Sequence, residues 1–311
     1  MKQRFWFIIF TLVLYTLPAF AQEVKRPRIT GISHIAVFVH NLEASRAFYK
    51  DFLGYEEPYR LYNSDSTISL AVIKVNDTQC IELFPTQTEV TDRLNQIALI
   101  TDNAEALRVY LASRGLDVPE KVSKGTMGNY YFLVKDPDGY TIEIVQYAPD
   151  SWTMRDTGKY MTDARISTHL KHIGFAVDSL QRAMKFYCDI LGFKETWRGS
   201  RDGKELSFVS FNVPDGTDYL EFILYKEKPT MEQLGVMNHI SLEVSNIQKS
   251  VNTLEARSVR KAYTGKLEVR TGINRKRQCN LFDPDGTRTE IMEASTVDGA
   301  PTPSSTAPPP K

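Results

Sequence analysis

The chain has 311 residues, of which 42% are hydrophobic and 24% are charged, values ordinary for a soluble globular protein. Its 38 Lys and Arg residues balance its 38 Asp and Glu residues. This neutral total argues against a nucleic-acid-binding or membrane-surface protein, because both partners select for basic charge. The length is sufficient for two domains of ordinary size.

The N-terminus has the pattern of a secretory signal peptide. Lys2 and Arg4 form a basic start, residues 5–20 are apolar, and residues 19–21 form an Ala-x-Ala cleavage site. The apolar run is shorter than the roughly 20 residues of a typical membrane span. We therefore expect residues 1–21 to be removed. The mature protein is then exported, periplasmic or secreted, and free of the membrane.

Two pairs of segments repeat along the rest of the chain. HIAVFVHNLEASRAFYKDFLGYEE matches HIGFAVDSLQRAMKFYCDILGFKE, and both predict a strand, a turn and an amphipathic helix. Gly54 and Gly192 stand where the C-terminus of such a helix needs a left-handed residue. QIALITDNAEALRVYLASRG likewise matches HISLEVSNIQKSVNTLEARS. The modules that contain this second pair end in Asp-Pro-Asp-Gly, at 136–139 and 283–286, a strong turn signal between strands.

These repeats predict four modules, each a strand and a helix followed by two or three strands. Their expected bounds are 31–90, 91–150, 168–230 and 234–295. Residues 31–150 and 168–295 are expected to form two domains, joined by a linker at 151–167 that has no clean periodicity. Residues 296–311 are rich in Pro, Ser, Thr and Ala, a composition typical of a disordered tail.

Three modules begin with a histidine and the second begins with a glutamine in the same place. Each is followed, some fifty residues later, by a glutamate inside an apolar run. In chain order the eight residues are His34, Glu82, Gln96, Glu143, His172, Glu221, His239 and Glu290. A single glutamate on such a strand usually faces solvent, and a single histidine is usually a hydrogen-bonded residue. Four coincident pairs favour metal binding over packing alone.

The sequence resembles the vicinal oxygen chelate superfamily, which includes glyoxalase I, extradiol dioxygenases and bleomycin-resistance proteins. The resemblance covers residues 31–295 and is carried by FYxxxLG at the end of the first helix and by DPDGxxxE at the end of the last strand pair. It implies an α+β fold in which four βαβββ modules pair into two curved sheets. Each sheet encloses a cup that holds a divalent metal.

The resemblance also implies the metal ligands. The second half has the His-Glu-His-Glu order of bacterial glyoxalase I, with His172, Glu221, His239 and Glu290. The first half offers a weaker set, His34, Glu82, Gln96 and Glu143, because a neutral amide oxygen is a poorer ligand. Mixed imidazole and carboxylate donors favour Ni, Zn, Co, Fe or Mn over Ca.

The sequence leaves the pairing of the modules open. Modules one and two can pair, with three and four forming the other cup. Modules one and four can pair instead, leaving two and three together. His239 and Glu290 belong to a two-histidine, two-glutamate cup in both arrangements, so they are the strongest candidate ligands.

The glyoxalase resemblance implies a metal-dependent lyase or isomerase acting on a small substrate with two adjacent oxygens. Glu290 is then the candidate base and Glu221 its counterpart across the metal. Arg198 and Arg275 are candidate contacts for an anionic substrate, although charged residues in such loops are more often simply solvated. Export fits this activity poorly, because the usual glyoxalase substrates are mainly cytoplasmic.

Two alternatives remain. The first is an extradiol dioxygenase holding Fe(II) with His172, His239 and Glu290. The chain has no further histidine between residues 172 and 239, where those enzymes usually carry one for acid–base chemistry. The second is a protein that binds a small molecule without turnover. Cys80 lies two residues before Glu82 and shares its strand face, where it either lines a site or packs as a small hydrophobe.

Overall fold

Two curled eight-stranded sheets, one in each half of the chain, form the framework of the computed structural model. The structure describes residues 24–310 except Glu89 and Thr91. The predicted signal peptide, residues 1–21, lies outside the described residues, so export stays a prediction. Within the described part, no helix is long and apolar enough to cross a bilayer.

The strands of the first sheet come from the first and second modules. They are β1 (Ile29–Val39), β2 (Glu56–Tyr62), β3 (Ile68–Lys74), β4 (Cys80–Pro85), β5 (Leu94–Thr101), β6 (Ser123–Lys124), β7 (Tyr130–Lys135) and β8 (Thr141–Gln146). The second sheet comes from the third and fourth modules. It contains β9 (Leu170–Val177), β10 (Lys194–Gly199), β11 (Phe208–Asn212), β12 (Tyr219–Leu224), β13 (His239–Val244), β14 (Arg270–Thr271), β15 (Lys276–Phe282) and β16 (Arg288–Thr296).

Both sheets have the same strand order, which decides how the modules pair. The first sheet runs β2-β3-β4-β1-β5-β8-β7-β6, and the second runs β10-β11-β12-β9-β13-β16-β15-β14. Module one therefore shares a sheet with module two, and module three with module four. The predicted α+β fold of four modules in two curved sheets is confirmed.

Six α-helices accompany the two sheets in the described part of the chain. They are α1 (Leu42–Arg46), α2 (Ala104–Ser113), α3 (Trp152–Arg155), α4 (Leu180–Met184), α5 (Met231–Met237) and α6 (Ile247–Glu255). Both α1 and α4 continue as π-helical segments, Ala47–Phe52 and Lys185–Ile190. Gly54 and Gly192 follow these segments with φ of +85° and +82°, the left-handed conformation predicted for a helix C-terminus.

The repeated FY and DPDG motifs meet each other across the two halves. The Tyr49 hydroxyl donates to Asp283 Oδ2 at 3.1 Å, and the Tyr187 hydroxyl donates to Asp136 Oδ2 at 3.0 Å. Module one thus contacts module four through its helix, and module three contacts module two in the same way. Most buried apolar side chains of both halves belong to one hydrophobic core, and Tyr59, Leu70 and Val72 form a smaller separate cluster.

The C-terminal segment differs from the predicted disordered tail. Thr296 ends β16, and residues 303–305 contact β10, one of the two edge strands of the second sheet. The Trp197 indole nitrogen donates to the Pro303 carbonyl at 2.7 Å, and the Ser305 amide donates to the Arg198 carbonyl at 2.9 Å. Proline favours an extended backbone, and the edge strand offers unpaired backbone groups, so this composition is compatible with docking.

The two buried aspartates give the interface between the halves a pH dependence. Burial raises the pKa of Asp136 and of Asp283 to about 6. An acid with a raised folded-state pKa binds more protons when the chain is folded. Its stabilising contribution is therefore complete below its ordinary pKa of 3.8 and is lost as the pH rises through about 6.

We predict that the Asp136→Asn/Asp283→Asn variant, which mimics the protonated carboxyls, removes this dependence. Relative to the wild type, its free energy of unfolding should rise by on the order of 2 kcal/mol for each replaced aspartate as the pH rises from about 4 to about 6.5. Urea unfolding of both proteins across that pH range measures the difference. Parallel pH profiles for the two proteins would contradict the assignment.

Candidate metal centres

The strand register brings the predicted donors of each half to one place. In the second sheet, β9 and β13 are antiparallel neighbours, and each has the last strand of its own module parallel beside it. Glu221 and His239 are both register partners of Gly174, and Glu290 is the register partner of Ser241. The first strand and the last strand of both modules therefore contribute side chains at matching depth.

All four predicted donors of the second half converge. His172 Nε2 lies 3.1 Å from His239 Nε2 and 3.6 Å from Glu290 Oε2. His239 Nε2 lies 3.7 Å from Glu221 Oε2. One donor atom each from His172, His239 and Glu290 fall within 4.8 Å of one another. We call this group, with Glu221, the second cluster.

The histidines of the second cluster are held neutral. Burial lowers the pKa of both His172 and His239 well below the ordinary value, and the nearby charge of Arg288 adds to the effect. His239 Nδ1 lies 2.6 Å from an Arg288 guanidinium nitrogen, from which it accepts in one tautomer, and 2.7 Å from the Met237 carbonyl, to which it donates in the other. A metal bound at Nε2 requires the second tautomer, with the ring proton on Nδ1. The lone pair on Nε2 then points into the cluster. A neutral imidazole whose other nitrogen is fixed by a carbonyl is the usual form of a metal-binding histidine.

His239 has room only because residue 174 is glycine. An ideal Cβ at Gly174 would lie 1.9 Å from His239 Cε1. In the first half the equivalent of Gly174 is Ala36, and its register partner is Gln96, which has no ring. The change from His to Gln in one module is therefore matched by a change from Gly to Ala in the neighbouring strand. The repeats HIAVFV and HIGFAV already contain this difference between alanine and glycine.

The two carboxylates of the second cluster are buried. Burial raises the pKa of Glu221 to about 7, with a further contribution from the charge of Glu290. Burial also raises the pKa of Glu290, although Arg288 and a hydrogen bond from Ser241 oppose it. The Ser241 hydroxyl donates to Glu290 Oε2 at 3.0 Å. Two buried carboxylates and two neutral imidazoles form a donor set that suits a divalent transition metal.

The two arginines predicted to contact an anionic substrate, Arg198 and Arg275, each pair with a carboxylate. Arg198 forms an ion pair with Glu195 at 2.5 Å, and Arg275 pairs with Asp298. Three other cations, Arg201, Lys276 and Arg288, lower the pKa of Glu221 through their charge. Arg288 lies two residues before Glu290 on the same strand, and alternation along that strand was the signal that could have identified it.

The predicted donors of the first half also converge, into a group that we call the first cluster. His34 Nε2 lies 3.2 Å from Glu143 Oε2 and 3.5 Å from Glu82 Oε2. Gln96 was expected to offer its amide oxygen, but its amide nitrogen faces the cluster and donates to Glu143 Oε2 at 2.5 Å. Gln96 therefore holds a carboxylate in this arrangement.

Charge distinguishes the first cluster from the second. Burial favours the neutral form of His34, but the carboxylates of Glu82 and Glu143 outweigh it and raise the pKa to about 9. Burial raises the pKa of Glu82 to about 7. Without a bound cation, the first cluster is thus an imidazolium beside carboxyl groups.

A cavity of about 480 Å³ opens onto the first cluster. His34, Glu82, Gln96 and Glu143 all line it, together with Cys80. Much of the remaining wall is apolar or aromatic, including Tyr59, Leu61, Leu70, Val72, Phe84 and Tyr131. Apolar walls with a few convergent polar groups are typical of small-molecule sites.

Comparison with known proteins gives one family for both halves. The model of the Glyoxalase/Bleomycin resistance protein/Dioxygenase superfamily matches residues 31–144 and 169–291. Uncharacterized protein YwbC of Bacillus subtilis is 26% identical over 123 residues, which span 37% of this chain and 96% of that protein. Uncharacterized protein YaeR of Escherichia coli is 29% identical over 125 residues, 39% of this chain and 93% of that protein.

Solved structures share the fold over both halves. The 2,3-dioxygenase LapB from Pseudomonas sp. KL28 is 19% identical with a TM-score of 0.66, covering 89% of this chain and 97% of its own. The Mn(II)-bound glyoxalase from Novosphingobium aromaticivorans is 20% identical with a TM-score of 0.66, covering 91% and 88%. The predicted superfamily is confirmed, and a divalent metal agrees with the Mn(II) of one neighbour and with the donor clusters of this chain.

We predict that Gly174→Ala weakens the binding of a divalent metal at the second cluster without unfolding the protein. The added methyl group must displace the His239 ring, so affinity for a divalent metal at this cluster should fall at least about tenfold. Isothermal titration of the metal-free protein with Mn²⁺ or Zn²⁺ measures this loss. The matched control is Ala36→Gly, which removes a methyl group at the equivalent place and should leave the second cluster unchanged. Equal affinities in both variants would contradict the steric argument.

Proposed function

Because this chain belongs to the Glyoxalase/Bleomycin resistance protein/Dioxygenase superfamily, we propose that its second cluster is the active site of a divalent-metal-dependent enzyme. The reaction proposed is a proton transfer on a small substrate with two adjacent oxygens, as in a lyase or isomerase of the glyoxalase type. The observation that carries this proposal is the presence of Glu221 beside His172, His239 and Glu290. A second carboxylate is what separates this donor set from a two-histidine, one-carboxylate triad.

The residues of the second cluster would have different roles in this reaction. His172, Glu221, His239 and Glu290 would hold the metal, which when bound supplies a Lewis acid for the substrate oxygens. Ser241 anchors Glu290 through its hydroxyl hydrogen bond. No hydrogen bond to the Glu221 carboxylate is found among the described residues, so this group is the freer of the two to take up a proton.

Proton transfer needs a group that exchanges its proton near neutral pH. Glu221, with a pKa raised to about 7, meets this requirement in the protein without metal. Glu290, the base predicted from sequence, would serve as the counterpart that returns the proton. The two carboxylates come from different modules, on β12 and β16, so each can reach the substrate from its own side of the cup.

The charges around the second cluster favour an anionic substrate. Arg201, Lys276 and Arg288 carry three positive charges close enough to lower the pKa of Glu221. The Arg201 guanidinium lies 4.5 Å from the centroid of the Phe208 ring, and its charge is not neutralised by an ion pair within the described residues. A carboxylate on the substrate would supply the missing negative charge.

An extradiol ring-cleaving dioxygenase is the second candidate. It is favoured by the close grouping of His172, His239 and Glu290 and by the fold shared with dioxygenases. It leaves Glu221 without a role. The additional histidine expected for its acid–base chemistry is also missing from the cluster, and His169 instead pairs with Asp218 at 2.7 Å.

A third candidate is a protein that binds a small molecule without turnover, and it is supported by the cavity in the first half. The cavity over the first cluster has the size and the apolar walls of a binding site. Two aromatic side chains of the second half are already engaged. Tyr219 stacks on His172, and Trp197 donates to the tail.

Glu221→Gln separates the three candidates. For a proton-transfer enzyme, we predict that this variant keeps its metal and loses about 100-fold or more of its activity, because the amide cannot accept the proton. The assay is the exchange of substrate protons with deuterated solvent, followed by NMR for a panel of small 2-oxo and 2-hydroxy carbonyl compounds. Glu143→Gln in the first cluster is the matched control and should retain activity.

Other results would favour the rivals. Oxygen uptake with catechols that survives Glu221→Gln would support the dioxygenase and contradict the proposal. Absence of both activities, in a wild-type protein that binds panel compounds without converting them, would support the binding protein.

A further inference from the structure

Cys80 lies inside the cup of the first half, beside His34 and Glu82. On the parallel strands β1 and β4, Cys80 is the register partner of His34, and Glu82 follows two residues later on the same face. One possible ligand atom from each of these three residues lies within 4.8 Å of the other two. The Cys80 side chain also lines the cavity, so a ligand in the cavity can reach it.

A chain of hydrogen bonds orients the His34 ring toward this group. The Tyr147 hydroxyl donates to the Thr78 carbonyl at 2.7 Å, and the Ser33 hydroxyl lies 2.6 Å from the Tyr147 oxygen. With the Tyr147 proton committed to Thr78, Ser33 donates to Tyr147 and can accept from His34 Nδ1, 3.2 Å away. Nδ1 is thus held on the outer side, and Nε2 points into the cluster beside Glu82 and Cys80.

The spacing of the oxygen and nitrogen donors suits a small divalent ion. His34 Nε2 lies 3.5 Å from Glu82 Oε2 and 3.2 Å from Glu143 Oε2. Ligand atoms bound tetrahedrally at about 2.0 to 2.3 Å from Zn²⁺ stand about 3.3 to 3.8 Å apart. The Gln96 amide nitrogen contacts two of these donors, at 2.5 Å from Glu143 Oε2 and 3.1 Å from His34 Nε2.

The sulfur donor is a property of the first cup alone. In the second cup the register partner of His172 is Tyr219, whose ring stacks on His172 with 4.4 Å between centroids. Tyr219 therefore fills the place that Cys80 occupies in the first cup. The second cluster offers nitrogen and oxygen donors, whereas the first cluster adds a thiol.

We propose that the first cup is a second metal site of different chemistry, in which Cys80 Sγ, His34 Nε2 and the Glu82 carboxylate bind a thiophilic divalent ion such as Zn²⁺, with Glu143 as the fourth donor. Thiolate ligands favour Zn²⁺ and Co²⁺ over Mn²⁺ or Mg²⁺. The proposal does not depend on the activity proposed for the second cluster, because the two clusters share no residue.

Cobalt substitution tests this proposal directly. Co²⁺ added to the metal-free protein should produce a thiolate-to-cobalt charge-transfer band in the near ultraviolet, and added Zn²⁺ should remove it. Cys80→Ser should abolish the band and weaken Zn²⁺ binding at least about tenfold, because a hydroxyl is a much poorer ligand. Cys188→Ser is the matched control for a thiol outside the cup and should keep the band. His239→Ala, which damages only the second cluster, should keep it as well.

Folding of each variant is checked by circular dichroism, and Glu82→Gln provides an independent probe. Glu82→Gln leaves the thiol in place but removes a carboxylate ligand, so the band should persist at a higher Co²⁺ concentration. A wild-type protein that shows no band at saturating Co²⁺, or a band unchanged in Cys80→Ser, would overturn the proposal. A band lost in Cys188→Ser would assign the sulfur to a different place and overturn it equally.

Discussion

The antiparallel pairing of the first strands of two modules is the constraint on which both sites depend. It places β1 against β5, and β9 against β13, with the last strand of each module parallel beside its own first strand. Side chains at the start of the first strand and the middle of the last strand then meet at one point. Burial of four polar groups there is costly unless they neutralise or share a cation, and this explains the perturbed pKa values in both clusters.

Much of this arrangement was accessible from the sequence because it is repeated. Because one pattern occurs four times, the inward-facing residues could be distinguished from ordinary strand residues. The repeats therefore identified the fold and the eight cluster residues, from His34 to Glu290. They did not reveal which modules share a sheet, since each module has equally suitable strands for either partner. Pairing depends on the whole surface that two modules bury against each other, and no local motif records it.

Other features escaped because they depend on a partner distant in sequence. The repeats HIAVFV and HIGFAV differ by alanine against glycine, but only the register of Gly174 with His239 explains that difference. The proline-rich tail was expected to be disordered from its composition, yet the Pro303 carbonyl accepts a hydrogen bond from the Trp197 indole on β10. Arg198 and Arg275 were predicted from their positions to contact an anionic substrate, but each forms an ion pair with a nearby carboxylate. Arg288 was overlooked because it follows a turn.

The contacts between Tyr49 and Asp283, and between Tyr187 and Asp136, have the symmetry of a dimer made of two similar halves. In a dimer of identical chains, every substitution would appear in both cups at once. Covalent fusion removes that restriction. One cup can keep glycine opposite histidine, while the other accepts alanine opposite glutamine and gains a thiol. The interface keeps its matched contacts, while the two interiors carry different side chains.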